Sequence, residues 1–215
     1  MKNFKILVAC EESGRVTEAF RNKGFQAFSC DLIPTSGNMP AYHIIGNALE
    51  VMQREKWDCV IAFPPCTYLT NASARRMRVN GSIVRDRYNQ MLRARDFFLA
   101  FYYANVPHIA IENPVPMKIC NLPRYTQIIE PYFFGDPYKK RTCLWLNGLP
   151  ELTRTCYDSQ TIQLWVDGGS KKKDGTSRNN RGQGFRDPKQ RSKTFPGVAW
   201  AMAEQWGEYF KERYS

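Results

Sequence analysis

Two histidines in 215 residues, and seven cysteines none of which forms a Cys-x-x-Cys pair, leave the chain without the ligand spacing of a zinc site. An odd number of scattered cysteines also argues against a disulfide framework, and predicts an intracellular, cytoplasmic protein with reduced thiols. No apolar run approaches the roughly 20 residues that a membrane span requires. The first residues lack the pattern of a secretory signal, so no membrane association is expected. No internal repeat is visible. The chain does have 43% apolar and 13% aromatic residues, enough for a normal core in one sizeable α/β domain or two very small ones.

Acids are scarce: 20 Asp and Glu stand against 31 Lys and Arg, a formal charge of +11. The excess is concentrated. Residues 171–193 carry a net +7 and residues 67–95 a net +6, leaving −2 for the rest of the chain. Two basic segments on a near-neutral body point to a polyanionic partner, most simply nucleic acid; the alternative is a solvated basic surface kept for solubility.

Along the chain, the apolar run 5–10 predicts a first buried strand. Glu11-Glu12-Ser13-Gly14-Arg15 breaks it, and Val16, Ala19, Phe20 and Lys23 follow helical spacing up to Gly24. A second strand, 25–30, ends in Asp31. Strand, glycine-containing turn, helix, strand and then an acid is the opening of a nucleotide-type βαβ unit, in which the acid commonly accepts the hydroxyls of an adenosine ribose. Only Gly14 of a full Gly-x-Gly-x-x-Gly is present, so Asp31 alone reads equally as a turn residue. A short strand at 43–47 and a helix at 48–56 follow. Residues 67–86 read as a mobile loop or short exposed helix, 91–103 as an apolar helix, and 108–114 as a further strand. Two last strands, 125–134 and 141–146, join through a hairpin-like 135–140. Residues 167–193, rich in Gly, Ser, Asn and Lys, read as a flexible basic insertion. Thr194-Phe195-Pro196 starts a closing helix at about 195–213, with Val198, Ala201, Met202, Gln205, Tyr209 and Phe210 on one face.

The chain is organised around Cys59-Val60-Ile61-Ala62-Phe63-Pro64-Pro65-Cys66, a buried strand stopped by two prolines with a lone cysteine at the tip of the turn. Cys66 is either a small buried hydrophobe or a nucleophile placed where an open α/β sheet puts its chemistry. A second strand ends in the same fashion, at Glu112-Asn113-Pro114. In a parallel sheet both ends face one pocket. A thiolate and a carboxylic acid there suit attack on carbon 6 of a pyrimidine, with Glu112 protonating the ring nitrogen when burial keeps it neutral. Arg141, following the hairpin-like connection, would hold the carbonyl at position 2 or a flanking phosphate.

At these residues the sequence resembles the cytosine-5 DNA methyltransferases. Pro65-Cys66 is similar to the family's Pro-Cys nucleophile motif, and Glu112-Asn113-Pro114 to its Glu-Asn-Val motif. Lys139-Lys140-Arg141 stands where the family has Gln-x-Arg-x-Arg. Ala9-Cys10-Glu11-Glu12-Ser13-Gly14 resembles its cofactor loop, and Asp31 its ribose-binding acid. Thr194-Phe195-Pro196-Gly197-Val198-Ala199 stands for the closing motif. The resemblance implies a Rossmann-like class I S-adenosylmethionine-dependent methyltransferase fold: a mostly parallel sheet with a C-terminal antiparallel hairpin and helices on both faces, in one domain over 1–215. It implies Cys66 as nucleophile, Glu112 as acid, and Arg141 as base or phosphate anchor. Cys10, Glu11, Ser13, Gly14, Asp31, Asn47 and Pro64 would bind S-adenosylmethionine, and DNA would be the partner.

The departures are specific. The cofactor loop lacks the family's aromatic residue and second glycine, and Asn47 stands where an Asp often accepts from the adenine amino group. Only 151–193 is available where family members carry a target-recognition domain of a hundred residues or so. In this the chain is similar to compact methyltransferase-like proteins of phages and prophages. Two alternatives stay open: the same chemistry on a free pyrimidine nucleotide or RNA, and a silent methyltransferase-fold module that binds nucleic acid or protein.

Overall fold

A computed structural model describes residues 4–157, 164–166 and 188–214. Seven strands form one sheet: β1 (Lys5–Ala9), β2 (Gln26–Asp31), β3 (His43–Ile45), β4 (Cys59–Ala62), β5 (His108–Pro114), β6 (Gln127–Ile129) and β7 (Thr142–Asn147). Their order is β3-β2-β1-β4-β5-β7-β6. β1 through β5 pair in parallel, while β7 runs antiparallel to both of its neighbours.

The strands are apolar on both faces because both faces are covered. Ile6 and Val8 of β1, Ile61 of β4, Ala110 of β5 and Leu144 of β7 face α1 (Arg15–Asn22) and the closing helix. Their sequence neighbours Leu7, Val60, Ile111, Cys143 and Trp145 face α2 (Ala48–Arg54) and α3 (Arg85–Tyr102). After a short α4 (Pro188–Ser192), the closing helix α5 (Pro196–Tyr214) buries Val198, Met202, Trp206 and Phe210. Gln205, expected on that face, instead ties α5 to the chain by donating to Thr153 O and accepting from Thr153 N.

Four segments differ from the sequence expectation. Residues 67–86, expected as a mobile loop or a short exposed helix, hold a mostly exposed short helix and, beyond that expectation, a hairpin. They contain a 3-10 helix (Asn71–Met77) that buries Ser73 and Met77, then a hairpin pairing Arg78–Val79 with Ser82–Ile83. The hairpin turns at Asn80-Gly81, whose φ of 49° and 82° are the two positive values a type I′ turn needs. The α3 helix begins at Arg85, a turn and a half before the apolar stretch, because arginines favour helix as readily as leucine does. The expected strand 125–134 is confined to Gln127–Ile129, which pairs antiparallel with β7 as expected (Ile129 opposite Thr142, Gln127 opposite Leu144); Pro131 starts a 3-10 turn (Pro131–Phe134) in the connection, where Tyr138–Lys139 pairs with Leu164–Trp165. Of the expected basic insertion, 167–187 lies outside the described residues, and 188–192 is helix α4.

Candidate active site

The proline-stopped turn after β4 meets the end of β5, where Glu112-Asn113-Pro114 is not the expected turn but the last paired stretch of the strand, opposite Leu144, Cys143 and Thr142. β4 and β5 are hydrogen-bonded neighbours, so Pro64-Pro65-Cys66 and Glu112-Asn113-Pro114 lie at the same edge of the sheet. Asn113 is buried and its Nδ2 donates to Pro64 O at 2.8 Å, fixing the turn on the strand. Beyond the cysteine the chain turns tightly, with Leu69 N and Thr70 N both donating to Cys66 O. It is then bound to the segment after Glu112 by Asn71 N to Val115 O and Met117 N to Leu69 O. Prolines that cannot continue a strand and a short-range bond network together hold Cys66 in place.

Cys66 is half-buried, and burial pushes its thiol pKa up; the nearby Glu112 carboxylate raises it further. Lys140, the residue's own N–H and Arg191 pull it back down. Two cations thus oppose burial at the thiol, and neither was singled out from the sequence. The first, Lys140, stands two residues before β7. Lys140, Thr142 and Leu144 lie on the α5 side with Glu112, and a small cleft is lined by Glu112, Lys140, Thr142, Ser192, Thr194 and Val198. Arg141 is not among those lining residues: its side chain is 68% exposed, and its Nε lies 4.0 Å from the buried Glu130. Lys140 Nζ donates to Arg191 O at 3.2 Å, bringing the start of the C-terminal segment onto the cleft.

The other predicted residues gather where β1, β2 and β3 end side by side. Cys10 takes a left-handed backbone (φ 60°), and burial with the Asp31 charge pushes its thiol to about 12. Glu11 is buried, and its carboxylate accepts from Val16 N at 2.6 Å and from Thr17 N and Oγ1 at 3.2 and 2.7 Å. It therefore caps the N-terminus of α1. Burial pushes Glu11 to about 7 against those same bonds. Ser13 is buried in the turn, and Gly14, with φ of 66°, provides the left-handed residue that starts α1. Pro64 is buried behind them. Asp31 Oδ1 accepts from Ile33 N, and Asn47 Oδ1 caps α2 through Leu49 N at 3.0 Å. Around Asp31 stand apolar side chains that a fold alone would hide: Leu32 is 74% and Ile45 61% exposed. A carboxylate amid exposed aliphatic groups suits an adenosine. At the other end Glu11 already holds the α1 N–H groups that would greet an anion.

The basic residues of 67–95 are exposed at Arg75, Arg76, Arg78 and Arg85, along the 3-10 helix and hairpin that follow Cys66. Arg87 lies over the Tyr68 ring at 5.2 Å, with Nε and Nη2 buried and without a hydrogen-bond partner. All seven cysteines are free thiols. Among the described residues no helix is long and apolar enough to cross a membrane, and no cluster of three metal-ligating side chains occurs.

The strand order, with only β7 reversed and helices on both faces, defines the class I methyltransferase fold, a Rossmann-like α/β architecture. No protein-family model matches the chain, and no curated protein matches it. Among solved structures it is similar to a protein described as a DNA modification methyltransferase encoded within an E. coli prophage, with 12% identity, a TM-score of 0.47 and coverage of 74% of this chain. It is also similar to the Entamoeba histolytica methyltransferase EhMeth, with 13% identity, a TM-score of 0.44 and the same 74% coverage. A third is a Spodoptera frugiperda DNMT2 variant, with 16% identity, a TM-score of 0.38 and 71% coverage. The chain spans about half the length of these proteins, 53%, 58% and 53% respectively.

Proposed function

We propose that the chain is a single-domain, S-adenosylmethionine-dependent methyltransferase that modifies carbon 5 of cytosine in nucleic acid, most simply DNA. The observation that supports this most directly is the tie that Asn113 makes between the Cys66 turn and the Glu112 end of β5, at the carboxyl edge of a class I sheet. Cys66 and Glu112 lie within each other's electrostatic reach, one a latent nucleophile and the other a proton carrier.

In this proposal the Cys66 sulfur bonds to carbon 6 of the ring as the 5,6 double bond opens, and Glu112 protonates ring nitrogen 3. Carbon 5 is then nucleophilic, and the cofactor, when bound, supplies the methyl group it takes. A base removes the carbon-5 proton, the 5,6 double bond re-forms as the Cys66 thiolate leaves, and nitrogen 3 returns its proton to Glu112. Lys140, which lines the cleft with Glu112, would steady the thiolate; Arg141, which is largely exposed, would meet a phosphate. Asp31 would hold the ribose of the cofactor, with Leu32 and Ile45 against the adenine. Cys10, Glu11, Ser13, Gly14, Asn47 and Pro64 would shape that pocket from its walls. A target base inside a duplex would be flipped out, with the exposed arginines after Cys66 on the backbone.

The test is trapping. With S-adenosylmethionine and DNA containing 5-fluorocytosine, a denaturation-resistant adduct is expected, and Cys66→Ala should abolish it completely. Absence of an adduct on single- and double-stranded DNA, despite measured cofactor binding, would turn the assignment to a nucleotide or RNA substrate. Absence of cofactor binding at millimolar concentration would leave a binding module.

A further inference from the structure

The segment after Cys66 ends in a two-stranded ribbon that leaves both of its faces in solvent. Every residue from Arg78 to Ile83 is exposed, on the strands as well as at the Asn80-Gly81 turn. Arg78 stands opposite Ile83 and Val79 opposite Ser82, so each face carries one aliphatic side chain. Val79 is 61% and Ile83 42% exposed. A ribbon that buries neither face adds nothing to the core, and such a hairpin is marginal in water by itself.

The ribbon is mounted on the Cys66 turn at both ends. On the entry side Ser73 Oγ, in the 3-10 helix, donates to Thr67 O at 2.7 Å. On the exit side Val84 N donates to Met77 O at 3.0 Å, and the Arg87 guanidinium lies over the Tyr68 ring. Thr67 and Tyr68 are the two residues that follow Cys66. Seven residues of 3-10 helix rise about 14 Å, so the ribbon starts about four base steps of a duplex from the end of that turn.

The charge around it is of one sign. Between Thr67 and Arg85 stand Arg75, Arg76, Arg78 and Arg85 with no Asp or Glu, and among the described residues none of the four has an ion pair. Arg78 Nη1 donates to Gly81 O at 2.9 Å, which holds its guanidinium near the tip. Arg75 and Arg76 lie on the 3-10 helix before the ribbon, and Arg85 starts α3 after it.

We propose that the ribbon 78–83 seats in the major groove of duplex DNA beside the target base, with Arg75, Arg76 and Arg85 on the flanking phosphates. The inference rests on the proposed nucleic-acid substrate and narrows it to a B-form duplex. A major groove about 12 Å wide admits a two-stranded ribbon, whereas a minor groove about 6 Å wide is too narrow for one. Aliphatic side chains meet thymine methyl groups there, and an arginine meets a guanine edge. The major groove of duplex RNA is deep and narrow and closed to side chains. A ribbon fixed to the nucleophile's own turn would grip the duplex without a separate recognition domain.

The test uses the full chain carrying Cys66→Ala, so that binding stays reversible, and a fluorescein-labelled DNA duplex. The same strand alone and an RNA duplex of the same sequence serve as comparisons. Val79→Ser combined with Ile83→Ser should weaken duplex binding by about tenfold and leave the slope of log K against log salt unchanged, because apolar contact is lost and no charge. Binding to the single strand should not change, and with both side chains exposed the Tm should not fall. Arg75→Ala combined with Arg76→Ala should make the duplex slope shallower by about 1.8, two phosphate contacts on B-DNA. Methyl green, which occupies the major groove, should displace the protein, and netropsin, which occupies the minor groove, should not. Unchanged duplex affinity in the Val79 and Ile83 variant, an equal loss on the single strand, tighter binding to the RNA duplex, or displacement by netropsin alone would each overturn the proposal. The two proposals fail separately. A fluorocytosine adduct in the unsubstituted protein with duplex binding unaltered by the Val79 and Ile83 changes removes the ribbon's role alone. Weakened duplex binding without any adduct keeps that role and removes the cytosine chemistry.

Discussion

The two halves of the sheet's carboxyl edge use polar residues differently. Between β4 and β5, Asn113 spends its side chain on tying the Cys66 turn to β5, whose Glu112 lines a cleft. Between β1 and β3, Glu11 caps α1, Asn47 caps α2, and Asp31 accepts from its own turn. On one half a supporting residue holds the reactive ones; on the other the predicted binding residues are themselves the supports. A residue that must bind a ligand and also satisfy buried backbone groups has less freedom for either task.

The sharpest test of that contrast is at Asp31, the acid of the half proposed to bind the cofactor, whose side chain accepts from Ile33 N. Asp31→Ala should lower S-adenosylmethionine affinity tenfold or more by calorimetry, the loss of hydrogen bonds to a charged acceptor. Asn47→Ala should lower affinity less, yet also lower stability by about 1 kcal/mol as a lost helix cap. Equal losses of affinity in the two variants would erase the distinction drawn between them.

On the other half, Asn113→Ala leaves the buried Pro64 carbonyl unpaired and should cost roughly 1–3 kcal/mol. That would show as a fall in Tm of several degrees, at roughly 2–4 °C per kcal/mol for a chain of this size. An unchanged Tm would mean that the turn is held by its prolines alone. A smaller effect separates Lys140 from Arg141. Removing a cation near Cys66 raises the thiol pKa, so Lys140→Ala should slow iodoacetamide alkylation of Cys66 at fixed pH by on the order of threefold. Arg141→Ala should leave that rate unchanged, and the reverse pattern would put Arg141 back at the thiol.

The mildest test concerns Glu11. Its folded pKa, about 7, lies above the ordinary glutamate value of 4.5, so the folded state holds the proton more tightly than the unfolded chain. The resulting stability is fully present below about 4.5 and is lost as pH rises through about 7. Glu11→Gln keeps a polar side chain that does not titrate. Denaturant melts at pH 5 and pH 7.5 should therefore differ less in the variant than in the parent, and an identical pH slope in both would show that Glu11 is not the group responsible.

Much of this was legible along the chain. Strands β1, β4 and β5 are unbroken apolar runs ended by turn residues, and their ends already marked Cys66 and Glu112 as partners. The same apolar continuity hid the phase of β7. Cys143, Leu144 and Trp145 are all buried, so nothing in the run tells which side of the strand meets α5, and Arg141 read as well as Lys140. Short-range competition hid the rest. The hydroxyls and amides of 67–86 bond to their own backbone in a 3-10 helix and a two-residue turn, which carry no long apolar period.

Composition and pattern by themselves therefore determined the α/β class, the concentration of positive charge, and the pairing of a proline-stopped cysteine with a proline-stopped glutamate. They did so because burial on two sheet faces and the stereochemistry of proline act within a few residues of chain. Only the tertiary structure decided which cation stands near the thiol, that Asn113 ties the Cys66 turn to β5, and that the 191–194 stretch is held at the sheet edge through Lys140 to Arg191 O and Arg15 to Thr194 O. Each of these depends on residues 40 to 180 positions apart meeting across the sheet edge, and no local pattern encodes such a meeting.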